Sequence, residues 1–162
     1  MGDLWLDIRQ KTRTDIQEVA RDVYSVMAEG RGVLPGDIAR SGFCRVASLA
    51  LKWALQATAE YSNVHIDEKI NPDGRKHYYP VVFVAGRLII ADPTWQQFVP
   101  QEKWRTSLSP VLVGTSDEAK AEAAVSKGNL KLWTTIEVPQ ASIDRHPSAH
   151  LPKDGLVVVK HQ

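Results

Sequence analysis

Cys44 is the one cysteine of the chain, and it stands where the loop Ser41-Gly42-Phe43 turns into the apolar run Arg45-Val46-Ala47-Ser48-Leu49-Ala50-Leu51-Lys52-Trp53-Ala54-Leu55. Such a run predicts a helix with the sulfur in its first turn. A helix N-terminus carries partial positive charge and unpaired N–H groups. A thiol placed there holds more of its reactive thiolate form, and the same N–H groups can hold an oxyanion. Catalysis by a thiol also needs a base, and the base needs a group to orient it.

The candidate bases are His65, His77, His146, His150 and His161. Geometry favours His77. Ala85-Gly86 reads as a tight turn between a strand over His77–Val84 and a returning strand over Arg87–Asp92. If Val84 faces Arg87, then Tyr79 faces Asp92, and His77 lies two residues further along on the same face as Asp92. Diagonal neighbours of this kind are about 7–8 Å apart, within reach of an imidazole and a carboxylate. In this arrangement Cys44 attacks an acyl carbon and His77 takes and returns its proton. Asp92 fixes the ring's tautomer and stabilises its positive form. The backbone N–H of Cys44 is the expected oxyanion donor, with Gln96 or Gln97 adding a side-chain donor and Trp95 a substrate contact.

Each residue also has a plainer explanation. A single cysteine on an apolar helix is more often a small buried hydrophobe. His77 could simply satisfy a strand or turn group, and Asp92 before Pro93 is ordinary turn chemistry. Trp53, Trp95, Trp104 and Trp133 read as core. His65 is the second candidate base. His146 and His150 have metal-ligand spacing, but Pro147 interrupts it and no carboxylate or thiol cluster accompanies them, so neither a metal nor another cofactor is expected.

The elements that must position these groups follow from periodicity and turn chemistry. Residues 4–29 predict a helix, with a break near Thr12–Thr14, stopped by Gly30-Arg31-Gly32. Leu34-Pro35-Gly36-Asp37 reads as a turn, and the cysteine helix spans about 44–60. Val64, Ile66 and Ile70 suggest a strand before the turn Asn71-Pro72-Asp73-Gly74. After the hairpin come a helical turn over 101–105 and a strand over 109–113. A helix opened by the Thr115/Glu118 capping box then runs to Lys127. Alternation of Leu130, Leu132, Thr134, Ile136 and Val138 predicts a half-buried strand. Residues 139–154 are polar with three prolines, and 156–159 read as an edge strand. Helices first, then mostly antiparallel strands, is an α+β layout.

The totals bound the possibilities. A chain of 162 residues, 43% hydrophobic and 24% charged, suits a single catalytic domain over 1–162. A net charge of +1 gives no electrostatic reason to expect nucleic acid or an anionic membrane as partner. No apolar run is long enough to span a bilayer. The N-terminus lacks a signal-peptide pattern. A lone cysteine forms no internal disulfide, which is compatible with a reducing compartment such as the cytoplasm.

With these residues in hand, the chain resembles the papain-like and transglutaminase-like cysteine enzymes, in the order Cys44, His77, Asp92. The segment Ala91-Asp92-Pro93-Thr94-Trp95-Gln96-Gln97-Phe98 resembles the Asp-Pro-Thr-x-x-Gln-Phe segment of papain-fold domains in bacterial polymorphic toxins and glutamine-deamidase effectors. The stretch Gly42–Leu55 is similar to their cysteine helix. No glutamine stands a few residues before Cys44, where papain-like peptidases keep one. Ser41-Gly42-Phe43 replaces the Arg-Gly-Gly of arylamine acetyltransferases, and His77-Tyr78-Tyr79 replaces the His-x-Trp of transglutaminase cores. The resemblance implies a nucleophile helix packed on a mostly antiparallel sheet. It also implies a secreted effector delivered into the cytoplasm of a target cell, a protein substrate there, and a cognate immunity protein.

The expected function is therefore a thiol-dependent hydrolase. It would act on a carboxamide or peptide carbonyl through a thioester, as a glutamine deamidase or peptidase. The alternatives are a transglutaminase or acyltransferase on the same fold, or a non-catalytic module that binds a partner through Tyr78, Tyr79 and Trp95.

Overall fold

The computed structural model describes residues 3–58, 61–71, 73–126 and 130–134. Helix α1 spans Asp3–Arg31, the short α2 Pro35–Ala39 and α3 Cys44–Thr58. Strands follow as β1 (Val64–Ile70), β2 (Lys76–Val84), β3 (Arg87–Asp92) and β4 (Leu112–Gly114), then helix α4 (Ser116–Glu122). Four 3-10 turns complete the described chain, at Trp95–Phe98, Gln101–Lys103, Ala123–Val125 and Leu130–Trp133. The four strands form one antiparallel sheet in the order β1-β2-β3-β4.

The hairpin register is the expected one: Val84 faces Arg87, and the pairing continues through Phe83↔Leu88 and Val82↔Ile89 to Val81↔Ile90. Its turn has positive φ at both Ala85 (51°) and Gly86 (77°), the twist that suits a two-residue hairpin. The β2–β3 ladder then stops. Beyond it lies Pro80, which has no N–H to give a neighbour. From there β2 pairs only with β1, while Ala91 and Asp92 pair with Val113 and Leu112 of β4. The sheet thus opens into a notch between the two strands that carry His77 and Asp92.

Period-two alternation gives the sheet two buried faces. Val64, Val82, Ile89, Ala91 and Val113 pack against α1 and α3, through residues such as Ile16, Ala20, Leu51 and Leu55. Tyr79, Val81, Ile90 and Leu112 pack against α4 and the 3-10 turns, through Trp95, Ala119, Leu132 and Trp133. The core on both faces is fully enclosed, so the helices cannot shift relative to the strands without opening voids. Arg13 ties α1 to the far edge of the sheet, with its guanidinium on Val113 O and Glu122, both at 3.3 Å.

Several elements differ from the expected ones. Helix α1 runs unbroken past Thr12–Thr14, because Thr12 is buried on the core side and Ile16 continues the same face. The Leu34–Asp37 turn is the start of α2: the Asp37 carboxylate accepts from the Leu34 N–H at 3.0 Å, and Pro35 sits where no N–H is needed. Helix α4 ends at Glu122 and tightens into the Ala123–Val125 turn. The strand expected from Leu130 is, over its described part, a 3-10 turn. Leu132 and Trp133 are both buried there, a pattern that alternation does not produce. The expectations for 139–154 and 156–159, with His146, His150 and His161, fall outside the described residues.

Candidate functional site

Cys44 is the first residue of α3, as its loop-to-helix position predicts. The helix is laid across the notch end of β2 by Ser48, one turn on, whose hydroxyl donates to Tyr78 O at 3.0 Å. That carbonyl belongs to the residue after His77, so the bond sets the sulfur against the histidine strand. Cys44 is 8% exposed and packs with Leu49, Ile66 and Tyr78.

His77 and Asp92 meet across the notch. The His77 Nε2–H donates to Asp92 Oδ2 at 2.6 Å, and the two residues are 1% and 0% exposed. The carboxylate is held from two further directions. Its Oδ2 also accepts from the Trp133 indole N–H at 2.7 Å, and Oδ1 accepts from the Thr94 backbone N–H at 3.0 Å. The Asp92-Pro93-Thr94 turn is pinned to α1 by the Tyr24 hydroxyl, 2.7 Å from Pro93 O. Trp133 is in turn placed by Tyr79, whose hydroxyl donates to Leu132 O at 2.7 Å. Phe98 fills the gap between the rings, edge-on to His77 at 4.8 Å and to Trp133 at 6.0 Å.

With Nε2 committed to Asp92, Nδ1 is the open position of the ring. It is buried and has no partner in hydrogen-bond geometry among the described residues. Cys44 borders the ring closely enough to act on its protonation. Burial pushes the His77 pKa down, but the charge and hydrogen bond of Asp92, with the sulfur of Cys44 adding to them, raise it from 6.5 to about 9. The imidazole is therefore positive at neutral pH, with a buried Nδ1–H for which the described residues place no acceptor in hydrogen-bond geometry.

The other candidate residues lie nearby without joining this cluster. Trp95 is fully enclosed and its indole donates to Ser109 O at 2.9 Å, so it offers no surface to a substrate. The Gln96 amide donates to the same carbonyl at 2.9 Å and accepts from the Trp104 indole at 3.1 Å. Gln97 spends its donors on Thr94 O and Oγ1, at 3.0 and 3.1 Å. Its Oε1 comes within 4.0 Å of where a Cβ on Gly42 would stand. Neither glutamine presents a free donor to an oxyanion at Cys44. They line instead a cleft of about 500 Å³ with Arg40, Val99, Gln101 and Trp104. His65, on β1, bonds to Asn63 just before the strand and lies on the strand face opposite Ile66 and its contact with Cys44.

Trp133, Ser48 and Phe98 hold the cluster together, and sequence reasoning did not find them. Trp133 reads as core and lies 41 residues beyond Asp92. Ser48 carried one legible signal, a hydroxyl one helical turn after Cys44 on the same face.

Among the described residues no group of three or more His, Cys, Asp or Glu could hold a metal ion, and no helix is long and apolar enough to cross a membrane. No family model, no curated protein and no solved structure matches this chain.

Proposed function

We propose that the chain is a thiol-dependent hydrolase of papain-like, transglutaminase-like architecture, acting on a carboxamide or peptide carbonyl. One observation carries this: His77 is bonded through Nε2 to a fully buried Asp92, which leaves Nδ1 open on a ring that Cys44 borders. The Cys44 thiolate adds to the carbonyl carbon, and the backbone N–H groups of the α3 N-terminus receive the oxyanion. The Nδ1–H of the imidazolium passes its proton to the departing nitrogen, which leaves as ammonia or an amine, and a thioester remains. Neutral His77 then takes a proton from water as the hydroxide attacks the thioester. The acid forms, and the thiolate–imidazolium pair is restored. Asp92 keeps the ring oriented throughout.

Delivery into a foreign cell and a cognate immunity protein belong to the same proposal, supported by the resemblance of Ala91–Phe98 to the toxin segment. The test is incubation of candidate target proteins with the wild-type chain and with Cys44→Ala, followed by intact mass. Replacement of an amide nitrogen by oxygen, or cleavage, is expected with the wild type alone. Equal activity in Cys44→Ala refutes thiol catalysis.

A non-catalytic reading is favoured by one feature, the 8% exposure of Cys44 within an apolar cluster. Alkylation separates the two. A catalytic sulfur reacts with iodoacetamide in the folded protein and slows in His77→Ala. A core sulfur reacts only as the protein unfolds.

A further inference from the structure

The residue after the sulfur is a cation without an ionic partner among the described residues. Among the described residues Arg45 makes no hydrogen bond and no ion pair. Its Nε is buried and unsatisfied, and its guanidinium lies over the Tyr78 ring at 5.2 Å. The neighbouring carboxylates are already answered. Glu68 sits 3.8 Å from Lys76 Nζ and acts on the Tyr78 hydroxyl, raising its pKa, while Asp67 pairs with Lys69 at 3.4 Å. Arg45 and Cys44 both act on the Tyr78 hydroxyl, the first lowering and the second raising its pKa, so the guanidinium, the phenol and the sulfur share one small space. The second unsatisfied group of this space is His77 Nδ1, on a side chain only 1% exposed.

We propose that Arg45 selects the substrate: the Cys44 site takes an acyl compound that carries a carboxylate beside the carbonyl under attack. The proposal rests on the thiol chemistry above and adds its substrate class. A planar guanidinium with free N–H groups matches a carboxylate in two parallel hydrogen bonds. Stacked on Tyr78 with its Nε buried, its fork has little freedom to lose on binding. An anion there would also satisfy a buried donor that the described residues leave unmet, which is a recognised source of discrimination against neutral analogues.

The probes are iodoacetate and iodoacetamide, which differ by a carboxylate in place of a carboxamide next to the reacting carbon. Rates of Cys44 alkylation are read by intact mass at neutral pH and low salt, for wild type, Arg45→Gln and Arg45→Lys. The iodoacetate-to-iodoacetamide rate ratio is expected to fall roughly fivefold in Arg45→Gln, the size of one lost charge at close range in a partly screened site. It should recover in large part in Arg45→Lys and shrink with added salt in the wild type. Using the ratio cancels any general change in the thiol, and His77 contributes equally in all three proteins. An unchanged ratio with fast, His77-dependent labelling overturns the carboxylate preference and leaves thiol catalysis standing. Absence of labelling by either reagent in the folded protein overturns both. Circular dichroism of each variant confirms that the comparison is made between folded chains.

Discussion

The protonation of His77 should be visible as a stability that declines with rising pH. The folded ring titrates at about 9 against 6.5 for the free side chain. Between those values the folded chain holds a proton that the unfolded chain has released, so stability falls as pH rises. The His77 contribution is complete below pH 6.5 and gone above about 9. At about 1.36 kcal/mol per pH unit, the rise from 6.5 to about 9 is worth about 3 kcal/mol, a large part of a small domain's stability. Urea unfolding of the wild type and His77→Gln over pH 6 to 10 measures it. The wild-type free energy should approach its variant's curve steadily between pH 6.5 and 9 and then run parallel to it. Cys44→Ala removes the sulfur's share but leaves Asp92, so it should keep most of the slope. Parallel curves for wild type and His77→Gln across the whole range would refute a buried imidazolium and, with it, the ion pair that the proposed thiol chemistry requires.

Two further outcomes test the supports of the site. Trp133→Phe keeps the aromatic packing but deletes the indole N–H that bonds to Asp92 Oδ2. It should cost about 1.5–3 kcal/mol in urea unfolding, as for a hydrogen bond to a charged group, and should slow iodoacetamide labelling of Cys44. Gly114→Ala should destabilise by at least about 1–3 kcal/mol without altering labelling of the folded protein. Its Cβ would come within 2.7 Å of Glu118 Cβ, and Glu118 is fixed by Thr115 and Arg9.

The parts of the site that were legible share a cause: they depend on local rules. The Ala85-Gly86 turn sets the pairing of β2 and β3, and pairing parity alone puts His77 and Asp92 on one face. The loop-to-apolar transition places Cys44 at a helix start. What was not legible depends on long-range packing. Trp133 reaches Asp92 only because Tyr79 holds Leu132 from below, and the alternating residues around it resembled a strand. Gln96 and Gln97 looked like free donors because backbone carbonyls 12–13 residues away, and a threonine in a tight turn, leave no signature in sequence. The α+β layering was readable from element order, whereas the parting of β2 from β3 required knowing where Pro80 falls in the ladder.

That parting has a mechanical consequence. Hydrogen bonds join the two halves of the sheet only over four residue pairs next to the Ala85-Gly86 turn. The halves meet again beyond the ladder at the imidazole and carboxylate, closed on each other at 2.6 Å. Substitutions at Ala85 or Gly86, where positive φ sets the hairpin's pairing, thus bear on the contact between His77 and Asp92 although they lie in the turn at the other end of the ladder.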